Sequence, residues 1–320
     1  MHCPRCQATV SEQARYCEQC GLRLKNDVEG LHEQALDLYH RGKIDEALAL
    51  WDDAVAQQPD FSRGHYYRGM ALYDRGDLGE AVEAFRQALQ GSSEPFRVLF
   101  KMGMAQYGLG DLAGSMASYQ KALKINPSSA ETHYRLGLAH LRRSELEPAR
   151  EALDAAISLN PKYTRALFIL GMVYSQQGDN RKAIEQFRQV VAASPAYTAA
   201  TFELGMSLYR EQELAEAAAA FAQAAEHSPR FAPAHFMLGE TRHKQGDQAA
   251  AAAAYRQALE INPKDFASWL KLAECCLHLG CLGETRQALD EALALQSENR
   301  DVLALERRYR ERYEEFGREE

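Results

Sequence analysis

The sequence has no excess of basic residues and no long apolar run. Lysine and arginine number 37, against 45 aspartates and glutamates, which gives a net charge of −8. A general nucleic-acid binder needs a basic surface to displace counterions from phosphates, so this charge argues against that class. No stretch approaches the roughly 18 apolar residues of a membrane span, and residues 1–27 contain no apolar core of a secretory signal. We therefore expect a soluble, cytoplasmic protein that does not bind a membrane and is not a general nucleic-acid binder.

Sequence motifs of the common enzyme classes are also missing. There is no glycine-rich phosphate loop, no His-Glu-x-x-His zinc motif and no nucleophile elbow. The ten histidines are scattered along the chain. The sequence therefore predicts that the protein is not an enzyme.

A 34-residue period runs through the chain. Prolines 34 or 68 residues apart mark it, with Ser93 in the vacant position: Pro59, Pro127, Pro161, Pro195, Pro229 and Pro263. A glycine column has the same period: Gly69, Gly103, Gly137, Gly171, Gly205 and Gly239. A bulky column follows it: Trp51, Phe85, Tyr119, Leu153, Phe187, Phe221, Tyr255 and Leu289. Columns that keep one phase over eight units indicate a repeat architecture.

Each unit has the pattern of two helices. In residues 164–197, apolar residues recur at helical spacing up to the turn signal Gly178-Asp179. A second helical run then ends at Pro195, because proline cannot continue a helix. Small residues let the two helices approach, and the bulky column fills the space between them. One such pair cannot bury its own apolar face, so neighbouring pairs must stack.

These columns resemble the tetratricopeptide repeat family. The family pattern is most complete here as Leu167, Leu170-Gly171, Tyr174, Ala183, Phe187 and Pro195. The resemblance implies an all-α fold, a right-handed α-solenoid of eight helix pairs. The predicted repeats are residues 28–61, 62–95, 96–129, 130–163, 164–197, 198–231, 232–265 and 266–299. Ser144 and Gln212 replace the turn glycine in two of them, so we expect looser turns there.

The pattern changes after Asn299. Residues 300–320 are rich in arginine and glutamate and contain an apolar helical stripe: Val302, Leu305, Tyr309, Tyr313 and Phe316. This stripe predicts a C-terminal capping helix that covers the last repeat and turns a charged face to water. The alternative is a helix that binds a partner.

Four of the seven cysteines form two Cys-x-x-Cys knuckles ten residues apart: Cys3, Cys6, Cys17 and Cys20. Four thiolates in this arrangement can close a tetrahedron around Zn²⁺, and a site with four protein ligands is structural. Gly21 after the second knuckle lets the backbone fold close to a sulfur, and Gln7 stands at the matching position of the first. Residues 1–25 resemble short zinc ribbons, which implies one structural zinc ion. A redox pair of thiols is the alternative, and the presence of two pairs argues against it.

The other three cysteines lie in the last predicted repeat. Cys275 and Cys276 occupy columns that hold small or core residues elsewhere, which predicts buried, apolar thiols. The alternative is a metal site that joins them and Cys281 to His278, but the helical spacing fits no closed site.

In the resembled family, the first helix of each pair lines a concave groove in which ligands lie. The residues assigned to this face form an aromatic row, a methionine-rich row and an arginine fringe. The predicted partner-binding residues are Tyr66, Met70, Tyr73, Arg97, Phe100, Met104, Tyr107, Tyr134, Arg165, Phe168, Met172, Phe202, Met206, Tyr209 and Arg210. Such a trough suits an apolar peptide or helix with acidic flanks. The alternative is that it packs against the protein's own termini.

The sequence as a whole predicts a scaffold or adaptor for protein–protein interaction. The repeats would grip a protein or peptide partner, and the zinc ribbon would add a second contact. The alternative is a nucleic-acid-associated factor that uses the ribbon for that contact, with the repeats recruiting protein partners.

Overall fold

The computed structural model describes most of the chain. The described residues are 2–3, 5–11, 14–24 and 27–319, with side chains as far as Glu314. Outside the description lie Met1, Pro4, Glu12, Gln13 and Lys25 of the predicted ribbon, Asn26, and Glu320 and the Phe316 side chain of the predicted capping helix. The described residues form 17 α-helices and no β-strand. Among them, no helix combines the length and the apolar character that a membrane span requires.

The chain divides into two compact units. The first unit, Met1–Pro161, contains the cysteine-rich segment and four helix pairs. Its helices are α1 (Val28–His40), α2 (Ile44–Gln57), α3 (Ser62–Arg75), α4 (Leu78–Leu89), α5 (Pro95–Leu109), α6 (Leu112–Ile125), α7 (Ala130–Arg142) and α8 (Leu146–Leu159). Within this unit each helix packs on the helices before and after it in the chain.

The second unit, Lys162–Glu320, contains four further pairs and a last helix. Its helices are α9 (Thr164–Gln177), α10 (Asn180–Ala193), α11 (Thr198–Arg210), α12 (Leu214–His227), α13 (Ala232–Lys244), α14 (Gln248–Ile261), α15 (Phe266–Leu279), α16 (Leu282–Leu295) and α17 (Arg300–Glu319). Consecutive helices pack on one another here as well.

Within a pair, a glycine of the first helix faces a large side chain of the second. A Cβ atom on Gly69 would lie 2.7 Å from Cε1 of Phe85, and one on Gly171 would lie 2.6 Å from Cε1 of Phe187. Carbon atoms in contact are normally about 3.5–4.0 Å apart, so only glycine fits. The bulky column lies opposite a glycine in six pairs and opposite Ala35 or Ala273 in the first and last pairs. All of its residues are at most 1% exposed: Trp51, Phe85, Tyr119, Leu153, Phe187, Phe221, Tyr255 and Leu289. A glycine on the first helix therefore makes room for a large buried side chain on the second helix.

The turn inside each pair contains a residue with a left-handed backbone. Six of these residues are glycines: Gly42, Gly76, Gly110, Gly178, Gly246 and Gly280. The other two are Ser144 and Gln212, with φ angles of 60° and 63°. The N–H of Glu145 donates to the carbonyl of His140, which closes the Ser144 turn in the same way as the glycine turns. The expectation of looser turns is therefore wrong. The packed helices impose the glycine conformation, and each substitute residue bears about 1–2 kcal/mol of strain.

The last helix, α17, packs on α15 and α16 through its first half. Val302, Leu305 and Tyr309 are 0%, 4% and 8% exposed and join the core of that helix pair. Tyr313 is 60% exposed, so the prediction that it belongs to the covered stripe is wrong. The reason is length: at about 1.5 Å per residue, the 20-residue α17 extends past the 14-residue α16.

Candidate metal centre and partner-binding face

The structure brings the sulfur atoms of the four predicted zinc ligands together. All four Sγ atoms lie within 4.8 Å of one another. The Sγ atoms of Cys3 and Cys20 are 3.5 Å apart, and those of Cys6 and Cys17 are 3.6 Å apart. Zn–S bonds of about 2.3 Å give a tetrahedron with S–S edges of about 3.8 Å, so this donor set fits a zinc ion. Within the described residues it is the one group of this kind.

The two knuckles repeat one backbone arrangement. In each, the N–H of the first cysteine donates to the carbonyl five residues later, Cys3 to Ala8 at 2.9 Å and Cys17 to Leu22 at 2.8 Å. A left-handed residue follows the second cysteine of each knuckle: Gln7, with φ 61°, and Gly21, with φ 73°. The sequence-based assignment of Gln7 to the glycine position is confirmed. Both loops thus present their sulfurs to the same point in space.

Crowding of the thiols moves their pKa values apart. Burial alone would raise the pKa of Cys3. The N–H groups of Cys6 and Arg5 and the neighbouring thiols outweigh this effect and lower the pKa to about 7. The N–H of Leu22 lowers the pKa of Cys20, but burial and the other three sulfurs raise it to about 12. One cysteine therefore loses its proton readily, and its negative charge opposes deprotonation of the others. A bound cation removes this opposition because it compensates the charge of all four thiolates.

Polar contacts hold the cysteine-rich segment on α1. Nε of Arg5 donates to Oδ1 of Asp37 at 2.7 Å, and its Nη1 donates to the carbonyl of Cys20 at 3.2 Å. Nε2 of Gln34 donates to the carbonyl of Arg23 at 3.2 Å. Sequence reasoning missed these residues, since nothing in the spacing of the cysteines indicates which helix lies beside them.

The cysteines of the last pair are placed as predicted. Cys275 and Cys276 are both 0% exposed, and burial raises the pKa of each thiol to about 12. Cys281 is exposed at the start of α16. In the part of the chain that the structure describes, these cysteines join no metal-type cluster. Burial of the first two is thus as predicted, but their surroundings are not wholly apolar, since Sγ of Cys275 lies 3.6 Å from Nδ1 of His243.

The predicted partner-binding residues lie on the first helices of their pairs. In the first unit they are Tyr66, Met70, Tyr73, Arg97, Phe100, Met104, Tyr107 and Tyr134, on α3, α5 and α7. In the second unit they are Arg165, Phe168, Met172, Phe202, Met206, Tyr209 and Arg210, on α9 and α11. All are half-buried or exposed except Tyr134, which is 8% exposed.

The aromatic row of this face contributes to packing inside the protein. In the first unit the ring of Tyr66 lies 6.0 Å from that of Phe85, between centroids. In the second unit the ring of Phe168 lies 5.8 Å from Phe187 and 5.1 Å from Tyr197. Aromatic pairs at these distances are worth about 0.5–1.5 kcal/mol beyond the area they bury. An alanine at Phe168 would therefore disturb the fold as well as any ligand contact.

The arginine fringe has partners within the protein. Arg97 forms an ion pair with Glu94 at 2.5 Å, and its guanidinium lies 5.4 Å from the ring centroid of Tyr66. Nη1 of Arg210 donates to Oγ of Ser175 at 2.5 Å. Glu94 therefore partly offsets the positive charge that Arg97 contributes to this face.

Comparison with known families extends this description. Family models described as tetratricopeptide repeat match residues 32–95, 134–198, 168–233, 202–266 and 236–300, and one described as TPR repeat matches residues 105–143. These matches cover well over half of the chain and leave out the cysteine-rich segment. No curated protein matches the chain.

Several solved structures have a similar fold. The C-terminal part of a TPR repeat-containing protein from Cytophaga hutchinsonii is 14% identical, with 75% of this chain and 98% of that one covered and a TM-score of 0.65. YrrB, described as a TPR protein with an unusual peptide-binding site, is 24% identical, with coverages of 58% and 96% and a TM-score of 0.54. MamA is 24% identical, with coverages of 54% and 94% and a TM-score of 0.52. The repeat columns, the stacked helix pairs and the family matches agree: the chain belongs to the tetratricopeptide repeat family.

Proposed function

We propose that the protein is a non-catalytic scaffold that binds a peptide or helix of a partner protein on the face made by the first helices of its pairs. The observation that carries this proposal is the methionine row. Met70 and Met104 in the first unit, and Met172 and Met206 in the second, are half-buried, so part of each side chain is open to solvent. Flexible, polarisable side chains adapt to varied apolar ligands. The peptide-binding site of YrrB, a protein of similar fold, supports the same role.

The ligand that suits this face is an apolar segment with acidic flanks. The predicted arginines Arg97, Arg165 and Arg210 are exposed at its edge. The ion pair between Arg97 and Glu94 is exposed on both sides, 51% and 59%, and such pairs contribute about 1 kcal/mol or less. A carboxylate of the ligand therefore displaces this internal partner at little cost.

The array that presents this face consists, in this proposal, of eight 34-residue repeats over residues 28–299. The starts of the first helices support these boundaries, since α1, α3 and α7 begin at Val28, Ser62 and Ala130. Residues 300–320 serve as the capping helix, in agreement with the apolar contacts of α17. We assign a right-handed solenoid, because this is the handedness of the tetratricopeptide repeat family.

Residues 1–25 bind one structural zinc ion through Cys3, Cys6, Cys17 and Cys20. The ion supplies no reaction; it supplies the free energy that folds a segment with a very small core, on the order of 10 kcal/mol. The fit of the four sulfurs to a tetrahedron supports this assignment. The ribbon is the second contact module of the scaffold.

The cytoplasm is the compartment that we assign to the protein. None of the seven cysteines, all within the described residues, forms a disulfide, which suits a reducing environment. The competing function, a nucleic-acid-associated factor that reads phosphates through the ribbon, is weakened by the same segment. Arg5 and Arg23 are engaged by Asp37 and Asp27 at 2.7 Å, which leaves less positive charge for phosphates.

Two labelled peptides test this function. They share a leucine and phenylalanine core, and one carries aspartate and glutamate flanks while the other carries lysine flanks. We expect the full-length chain to bind the acidic-flanked peptide more tightly in fluorescence anisotropy. Met172→Glu is expected to weaken that binding about tenfold or more, which is about 1.4 kcal/mol.

The chain offers good controls for this titration. Later first helices carry Glu240 and Glu274 at the position of Met172, but Tyr255 and Lys271 engage those carboxylates, so circular dichroism must first show that Met172→Glu is folded. Gln189→Ala, on an exposed position of the second helix α10, is expected to leave binding unchanged. Equal binding of the two peptides, or equal binding by wild type and Met172→Glu, contradicts the proposal.

A further inference from the structure

The edge of α1 differs from the same edge of every later first helix in its unit. Counting 34 residues at a time from Asp37 leads to Ala71, Ala105 and Ala139, each 0% exposed. These alanines lie on helices that pack on the helix pair before them. No helix pair precedes α1, and at this position α1 carries the charged residue Asp37 instead of a buried alanine.

The cysteine-rich segment, residues 2–24, covers this charged edge. Asp37 accepts from Arg5 at 2.7 Å and from Arg41 at 2.8 Å, and its side chain is only 15% exposed. Gln34, which also faces the segment, donates to the carbonyl of Arg23. Hydrogen bonds and an ion pair thus replace the apolar packing that joins the inner pairs.

The contact between the segment and α1 is loosely packed. A crevice of about 530 Å³ remains between Leu22 of the segment and Leu38 and Leu50 of the first helix pair. The crevice is open to solvent, so the apolar side chains on its walls are not sealed into a common core. The core of the segment itself contains three buried side chains, Cys3, Cys17 and Leu22.

In the second unit, the last helix pair is covered in a different way. Helix α17 inserts Val302, Leu305 and Tyr309 into the core of the last pair, all at most 8% exposed. Removal of that helix would expose apolar surface. Removal of the cysteine-rich segment would uncover the polar side chains of Gln34 and Asp37, which water can solvate, beside Leu38 and Leu50, which already line the open crevice.

We infer that residues 2–24 form a separable cap whose docking on α1 depends on the bound metal. The inference rests on the proposed zinc site. With zinc in place, the two knuckles are fixed relative to each other, and Arg5 bridges the carbonyl of Cys20 and the carboxylate of Asp37. Without zinc, so small a core does not keep Arg5 in position, and the segment leaves the array. The first helix pair then becomes accessible while the other pairs remain folded.

Hydrogen exchange of the full-length chain, measured by mass spectrometry, tests this inference. We expect chelation of zinc to accelerate amide exchange in α1 by at least about fivefold and to leave α5–α8 unchanged. Arg5→Ala in the zinc-loaded chain is expected to accelerate the same amides while one zinc per chain is retained. Arg15→Ala removes an exposed arginine of the same segment and is expected to change neither exchange nor zinc content.

The outcomes separate the cap from the metal site. A chain that holds one zinc, but whose α1 exchange is unaffected by chelation and by Arg5→Ala, overturns the cap and leaves the zinc site intact. Faster exchange throughout α1–α8 on chelation also overturns it, because the segment would then belong to the cooperative core. A wild-type chain that retains no more zinc than the ligand variant Cys17→Ser overturns both proposals.

Discussion

Alanine at Gly171 would test the contact that sets the distance between the two helices of a pair. A glycine-to-alanine change inside a helix ordinarily stabilises it by about 1 kcal/mol. Here the new Cβ atom would lie 2.6, 2.9 and 2.9 Å from three ring atoms of Phe187, a side chain that is 0% exposed. Overpacking of a buried site costs about 1–3 kcal/mol, and three close contacts with a fixed ring place the cost at the upper end. We therefore expect a net loss of about 2 kcal/mol.

Urea denaturation followed by circular dichroism measures this loss. For a slope of about 2 kcal/mol per molar, the midpoint of the second unit should fall by about 1 M. Gly283→Ala is the matched control in the same unit, because its Cβ would meet nothing within 4 Å; we expect the midpoint to stay or to rise slightly. Gly171→Ala with Phe187→Leu reproduces the natural pair Ala273 and Leu289 and should recover much of the stability. A midpoint of Gly171→Ala at or above that of wild type refutes the reasoning.

Two more predictions concern strain and protonation. Ser144→Gly relieves a left-handed backbone at φ 60° and should raise stability by about 0.5–1 kcal/mol after the entropy cost of glycine; an unchanged urea midpoint would contradict this. Burial, and then Arg63, lowers the pKa of His32 to about 4, and its neutral Nδ1 accepts from Nε1 of Trp51 at 3.1 Å. The unfolded chain binds the extra proton from about pH 6.5 downward, so stability should fall by up to about 3 kcal/mol between pH 6.5 and 4. Denaturation midpoints against pH should lose this slope in His32→Phe, and a slope that persists would show that another group is responsible.

The helix pairs were predictable because one contact is repeated. The contact between Gly171 and Phe187 recurs in pair after pair, so the same residue types return every 34 positions and the period is visible in the sequence. The cluster of four cysteines was predictable for a related reason. A tetrahedral ion fixes the spacing of its thiolates, and that spacing is a property of short stretches of chain.

The remaining features depend on contacts that have no period. The left-handed backbone at Ser144 and Gln212 is imposed by the helices on either side, and nothing in a serine or a glutamine indicates it. The exposure of Tyr313 follows from the length of α16, not from the stripe on α17. The ion pair between Arg5 and Asp37 joins a knuckle to a helix 32 residues away. Contacts of this kind are apparent only when the folded chain is seen.

The same limit applies to the partner-binding face. Sequence columns identify which residues share a helix face, and the structure places those residues on the first helices. The sequence columns do not reveal that Phe168 also packs between Phe187 and Tyr197, or that Glu94 lies against Arg97. Those contacts decide which substitutions probe a ligand and which probe the fold, and they are the reason for choosing methionine for the test.

Methyl NMR of the eight methionines tests the central claim most directly. The methyl groups of Met70, Met104, Met172 and Met206 report on the first helices, and that of Met116, on the second helix α6, is an internal control. On titration with the acidic-flanked apolar peptide, we expect saturable shifts in the signals of first-helix methionines and none in that of Met116. Shifts confined to Met116, or no saturable shift at any first-helix methionine, would contradict the claim that this face binds a partner.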